Sequence, residues 1–155
     1  MNHLLTLKER PAVPAENILS KRYTQLDAVL KQLQKKTLPS TVIEGINRYI
    51  EELNTSSEKD RKFNKLVKKK QTELLRFVEK EAKIVPRNYY RNMWLAIGMS
   101  AFGLPLGVAF GLSIGNMGLM ALGLPIGMVI GISLGTSMDK KAFNEGRQLD
   151  IEIRY

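Results

Sequence analysis

Between Arg91 and Asp139 the chain runs for 47 residues, Asn92 to Met138, without one Asp, Glu, Lys, Arg or His. A bilayer core of about 30 Å needs about 20 helical residues to cross it, so the run matches two crossings and a turn. In a chain of 155 residues there is too little other mass to cover two uncharged helices on every side. A helical membrane hairpin follows as the expectation. The formal charge of +9 lies wholly before the run, where 20 Lys/Arg face 11 Asp/Glu; after it there are four of each. The N-terminal stretch "MNHLLTLKERPAVPAEN" has only a scattered apolar group, short of the apolar core of a cleaved signal, so insertion is assigned to the late block.

The centre of the run reads "GNMG", Gly115 to Gly118, and Asn116 is its most polar residue. Gly and Asn tolerate a reversing backbone, which places the turn there. The spans are expected at Trp94 to Ile114 and Leu119 to Met138, each near 30 Å at about 1.5 Å per residue. Arg87 and Arg91 precede the first span, while Lys140, Lys141 and Arg147 follow the second. By the positive-inside rule both termini are expected in the cytoplasm, and the membrane is read as a bacterial inner membrane. Tyr89, Tyr90 and Trp94 stand where an interfacial aromatic belt would anchor the first span.

Within the run "GLPLGVAFGLSIG" (Gly103 to Gly115) returns as "GLPIGMVIGISLG" (Gly123 to Gly135), with seven of thirteen residues identical. Gly103, Gly107, Gly111 and Gly115 recur every fourth residue, as do Gly123, Gly127, Gly131 and Gly135. Each glycine inside a helix costs about 1 kcal/mol relative to alanine in water. Their gain is a groove free of side chains, where another backbone approaches closely and dispersion and weak Cα–H contacts accumulate. The two stripes either face each other inside one hairpin or also face neighbouring copies, giving a homo-oligomer. Two like-directed copies in a hairpin cross the membrane in opposite senses, so they form a small inverted repeat. Pro105 and Pro125 hold the same place in each copy; each frees a carbonyl four residues back and is expected to bend its helix. With no acidic residue in the spans, a side-chain proton or cation relay is disfavoured.

The segment Ile97 to Thr136 resembles the glycine-zipper membrane hairpins of bacterial proteins. That resemblance implies paired Gly-rich helices that often oligomerise. Lipoprotein members carry an N-terminal lipidated cysteine, and this chain has no cysteine, so the resemblance does not extend to that branch.

Before the membrane run three amphipathic helices are expected. Pro14 opens the first, Ala15 to Lys36, with Leu19, Tyr23, Leu26, Leu30 and Leu33 spaced as a seam. Pro39 breaks the chain, Thr41 and Glu44 match a capping box, and a short helix buries Ile43, Ile46, Ile50 and Leu53. After the polar "NTSS" a third helix, Glu58 to Ile84, carries Phe63, Leu66, Val67, Leu74, Phe77 and Val78 on one side, and Pro86 ends it. Lys62, Lys65, Lys68, Lys69 and Lys70 form its basic patch, read as a solvated face or as a site for an anionic partner. No aromatic platform or nucleic-acid motif accompanies them, which disfavours nucleic acid. After the hairpin Leu149, Ile151 and Ile153 alternate, as in an edge strand or docking segment, or in a plain disordered tail.

The chain is therefore read as all-α: residues 1–15 flexible, 16–86 a basic cytoplasmic helical region, 93–138 the hairpin and 139–155 a cytoplasmic tail. His3 is the one histidine and there is no cysteine, so no metal site, cofactor, catalytic group or small-molecule substrate is expected. Two functions compete. The hairpins self-associate into a channel or membrane-permeabilising assembly controlled by the cytoplasmic helices, or they form a non-conducting anchor whose basic helices hold a cytoplasmic or anionic partner.

Overall fold

The computed structural model describes residues 3–8, 18–57 and 60–153. It is helical almost throughout and divides into two compact units, one from Met1–Val85 with Leu149–Ile153 and the other chiefly Pro86–Gln148.

In the first unit, α1 (Ile18–Gln34), α2 (Ser40–Thr55) and α3 (Asp60–Ala82) form a bundle. The expected helix starts at Ala15 and Glu58, and the opening role of Pro14, lie outside the described residues. Apolar side chains at helical spacing make the core: Leu26, Val29 and Leu33 from α1, Ile46, Ile50 and Leu53 from α2, Phe63, Val67 and Leu74 from α3. The seam of α1 is thus closed within its own bundle, with Tyr23 half-buried and its ring 6.2 Å from that of Phe63. Two local expectations need correction. Val42 rather than Ile43 is the buried residue at the start of α2, because the helix begins at Ser40 and its inward stripe runs 42, 46, 50, 53. That early start also places Thr41 inside the helix, so it cannot cap it. The Pro39 carbonyl instead accepts from the N–H groups of Val42 and Ile43, at 3.0 and 3.1 Å.

Amide side chains fasten extended segments to this bundle. On α2, Asn47 accepts from Leu5 N–H (2.8 Å) and donates to the His3 carbonyl (3.1 Å), while Asn54 accepts from Lys8 N–H (2.9 Å) and donates to the Thr6 carbonyl (3.0 Å). Residues 3–8, expected to be flexible, are therefore held along α2, with Leu4 buried. On α1, Gln32 accepts from Asp150 N–H (2.6 Å) and donates to its carbonyl (3.1 Å), and Gln25 donates to the Glu152 carbonyl (3.2 Å). In both pairs the amides stand seven residues apart, two helical turns and about 10 Å, on one helix face.

The segment held by α1 is β2 (Gln148–Glu152), which pairs with β1 (Val85–Arg87) in a two-stranded sheet. Of the readings open for the C-terminal region, the strand is the one observed. Leu149 and Ile153 are buried in the bundle core and Ile151 packs against it, which is the alternation a strand with one covered face requires.

The second unit holds two helices long and apolar enough to cross a membrane. The first runs 26 residues from Tyr89 to Ile114 and the second 25 from Met120 to Asn144. The first consists of α4 (Tyr89–Ile97), a π-helical turn (Gly98–Gly103) and α5 (Leu104–Ile114). Gly115 ends it with φ 71°, and the N–H groups of Gly115 and Asn116 return to the carbonyls of Leu112 and Gly111 (3.3 and 3.0 Å). That is a Schellman closure, which needs the left-handed conformation glycine adopts without strain. Asn116 then accepts from Gly118 N–H (3.0 Å) and opens a 3-10 stretch (Met117–Leu122) leading into α6 (Gly123–Asn144). Both prolines sit where the helix changes type: Pro105 just after the π turn, Pro125 just after the 3-10 stretch, in the first turn of α6.

Candidate functional sites: a glycine-packed hairpin, its base and a basic helix face

The glycines lie between the two long helices. Gly103, Gly107, Gly111, Gly123, Gly127, Gly131 and Gly135 are all buried, although most of their neighbours are exposed; Gly115 is exposed at the turn. A methyl group built on Gly127 would stand 2.7 Å from the Cα of Gly103; on Gly123, 2.5 Å from the Cα of Gly107; on Gly135, 2.5 Å from the Cα of Arg91. Real side-chain carbons do not approach backbone so closely, so each position requires glycine for space. Gly111 is looser, with the Met117 sulfur 3.3 Å away. Gly103 and Gly107 thus meet Gly123 and Gly127, while Gly131 and Gly135 meet the backbone of Trp94, Leu95, Tyr90 and Arg91, so both stripes pack inside a single hairpin.

Gly98 belongs to the same seam, since its added Cβ would lie 2.8 Å from the Cα of Gly131. A rule of every fourth residue overlooks it, because Gly98 and Gly103 are five apart. The π turn between them takes up the extra residue and returns both to one face. The usable signal was a small residue near the stripe at π rather than α spacing.

Outside the seam the hairpin surface is mainly apolar, with the hydroxyls of Ser100, Ser113, Ser133, Thr136 and Ser137 scattered over it. Leu112 is 68% exposed and Val129 64%, and Phe102, Leu104, Phe110 and Ile126 also face outward. Only 22% of each apolar window is buried, whereas the core helix of a soluble protein is mostly covered. Ser100, the polar residue of the π turn, returns its hydroxyl to the Ala96 carbonyl at 2.9 Å, so its polarity is spent within its own helix.

At the open end, Asp139 of α6 is buried and accepts from the N–H groups of Tyr90 (3.1 Å) and Arg91 (2.9 Å). These are first-turn donors of α4, which have no partner within their own helix. Asn88, just before α4, is left-handed (φ 59°) and makes no cap bond with its side chain, so the cap comes from the neighbouring helix. A carboxylate there also meets the positive end of the helix dipole. In the sequence Asp139 stands out only as the boundary of the uncharged run. Tyr90 is buried as well, edge-on to Tyr89 at 5.4 Å, so it packs the base rather than joining an interfacial belt. Tyr89 and Trp94 are half-exposed. After α6 a second Schellman closure forms at Gly146 (φ 68°), and Arg147 is bound by Glu145 through its Nε at 2.7 Å.

In the bundle, Arg61, Lys62, Lys65, Lys68, Lys69, Arg76 and Lys80 of α3 are exposed. Lys62, Lys65, Lys69, Arg76 and Lys80 follow spacings of three, four and seven, so they form one stripe along the helix. Lys70, expected in the same patch, is excluded from it. Its ammonium is bound to Glu52 of α2, lies 3.2 Å from Glu73 and sits 5.6 Å from the centre of the Tyr49 ring. The Glu52 hydrogen bond, aided by Glu73 and opposed by burial, raises the Lys70 pKa above its ordinary value. A raised lysine pKa contributes stability that is complete below the ordinary lysine value and is lost as pH rises through the raised one. Lys70→Met should therefore destabilise the bundle at neutral pH by about 0.5–1 kcal/mol, with the deficit against wild type closing in strong alkali. Chemical denaturation at neutral and alkaline pH checks this.

Comparison with protein-family models, with curated proteins and with solved structures gives no match.

Proposed function

We propose that this is a membrane-anchored adaptor: a glycine-packed two-span hairpin that tethers a basic helical module to the bilayer surface. The supporting observation is that the stripe glycines within the helices are consumed inside one hairpin, while the outward faces are apolar. Such a surface is satisfied by lipid chains, and it supplies neither a polar lining for a water column nor a free glycine groove for a neighbouring copy. The same observation weighs against a glycine-zipper channel. Both ends of the hairpin lie on one side of the membrane, the cytoplasmic side by the arginine and lysine flanks.

The exposed α3 stripe is the working surface of the adaptor, and it engages an anionic, phosphate-rich partner. Full-length protein in neutral-lipid nanodiscs should bind vesicles rich in phosphatidylglycerol, and binding should weaken steeply with salt. Lys62→Glu with Lys65→Glu and Lys69→Glu should reduce it at least tenfold. Unchanged binding in that variant would refute the assignment. Replacing the hairpin with an unrelated two-span hairpin should preserve vesicle binding. A discrete oligomer in nanodiscs that Gly107→Leu with Gly127→Leu dissolves would instead support assembly through the glycines.

A further inference from the structure

The contact between residues 3–8 and the bundle is built like a peptide-binding site. Five hydrogen bonds hold the segment, and all of them go to its main chain: four through Asn47 and Asn54, and one from the Tyr23 hydroxyl to the Lys8 carbonyl at 2.7 Å. Each asparagine bonds the N–H of one residue and the carbonyl two positions earlier. The two amides contact segment residues three apart, about 10 Å in extended chain, matching the two helical turns between them. Such recognition is indifferent to side chains.

Selectivity enters at two places. Leu4 is buried and Leu7 is half-buried against the core, while Leu5, Thr6 and Lys8 are exposed. The site therefore reads an extended main chain with leucine-like residues at i and i+3.

The corresponding grip on the C-terminal region differs in kind. There the strand also pairs with β1 and buries Leu149 and Ile153. Residues 3–8 belong to no sheet and bury one leucine at the margin, with Leu4 at 9% exposure. Of the two, the N-terminal segment has the smaller hold and is the one a competitor can displace.

We infer that Asn47, Asn54 and Tyr23 form a binding site for an extended Leu-x-x-Leu-like segment of a partner protein, which residues 3–8 fill in cis as a displaceable pseudo-ligand. The site stands independently of the membrane reading. A fluorescent peptide of residues 1–10 is the probe, measured by anisotropy against three forms of the protein in nanodiscs: full length, a form lacking residues 1–8, and the full-length chain with Leu4→Asp and Leu7→Asp. The emptied forms should bind the peptide at least tenfold more tightly than the full-length protein, and Asn47→Ala with Asn54→Ala in either emptied form should remove at least tenfold of that affinity. The inference is overturned if neither emptied form takes up the peptide, if full-length protein binds it equally well, or if the asparagine substitutions leave binding unchanged.

Discussion

Gly127→Leu pushes the two long helices apart. Its new side chain must occupy space already held by the backbone of Gly98 and Gly103, and backbone of a packed helix cannot rotate away as a side chain would. Overpacking a tight interior costs about 1–3 kcal/mol where neighbours yield; here they do not, and a loss of at least about 3 kcal/mol is expected on that scale. SDS titration in mixed micelles measures it. Trp94, the one tryptophan, supplies the signal, because it lies on the seam, its carbonyl carbon 2.9 Å from a Cβ built on Gly131. Leu112→Ala, on the exposed outer surface of the hairpin, should stay within about 0.5 kcal/mol of wild type. Equal effects of the two substitutions would show that the glycine seam does not hold the hairpin.

Asp139→Ala has the second large effect. It leaves the N–H groups of Tyr90 and Arg91 without their acceptor at the start of α4. Hydrogen bonds to a charged group contribute about 1.5–3 kcal/mol, and the stranded donors add their own desolvation cost. A loss of about 2–3 kcal/mol is expected in the same titration. Asp139→Asn keeps one acceptor oxygen and should fall between. Amide hydrogen exchange localises the defect: Tyr90 and Arg91 should lose protection first, whereas Gly107 in the middle of the seam should keep its own.

The parts of the fold legible in sequence were those governed by periodicity. A 47-residue uncharged run leaves little choice but two long apolar helices, and the 3.6-residue spacing of leucines and isoleucines gave the three bundle helices, the first and third ending at Gln34 and Ala82, two residues short of the expected Lys36 and Ile84. The glycine repeat showed that helices approach closely without identifying the approaching helix. Only the geometry reveals that each stripe packs on the other arm of its own hairpin, partly on the opposite glycines and partly on backbone outside the repeat. Gly98 escaped because a π turn breaks the spacing rule on which the stripe was read. Asp139 escaped because its role depends on a residue 49 positions away. The capping box failed for a local reason, since the helix began one residue before the threonine that was to cap it. Asn47, Asn54, Gln25 and Gln32 carried no signal as single residues; their meaning lies in a seven-residue spacing matched to an extended segment elsewhere in the chain.

Because the protein has no cysteine, its topology can be read from single introduced thiols. Ser57→Cys, Asn116→Cys and Asn144→Cys would be labelled with a membrane-impermeant maleimide, in right-side-out and in inverted membrane vesicles. A two-span anchor with both ends in the cytoplasm predicts that positions 57 and 144 label only in inverted vesicles and position 116 only in right-side-out ones. Labelling of all three from the same side, or recovery of the protein in the soluble fraction, would contradict the account.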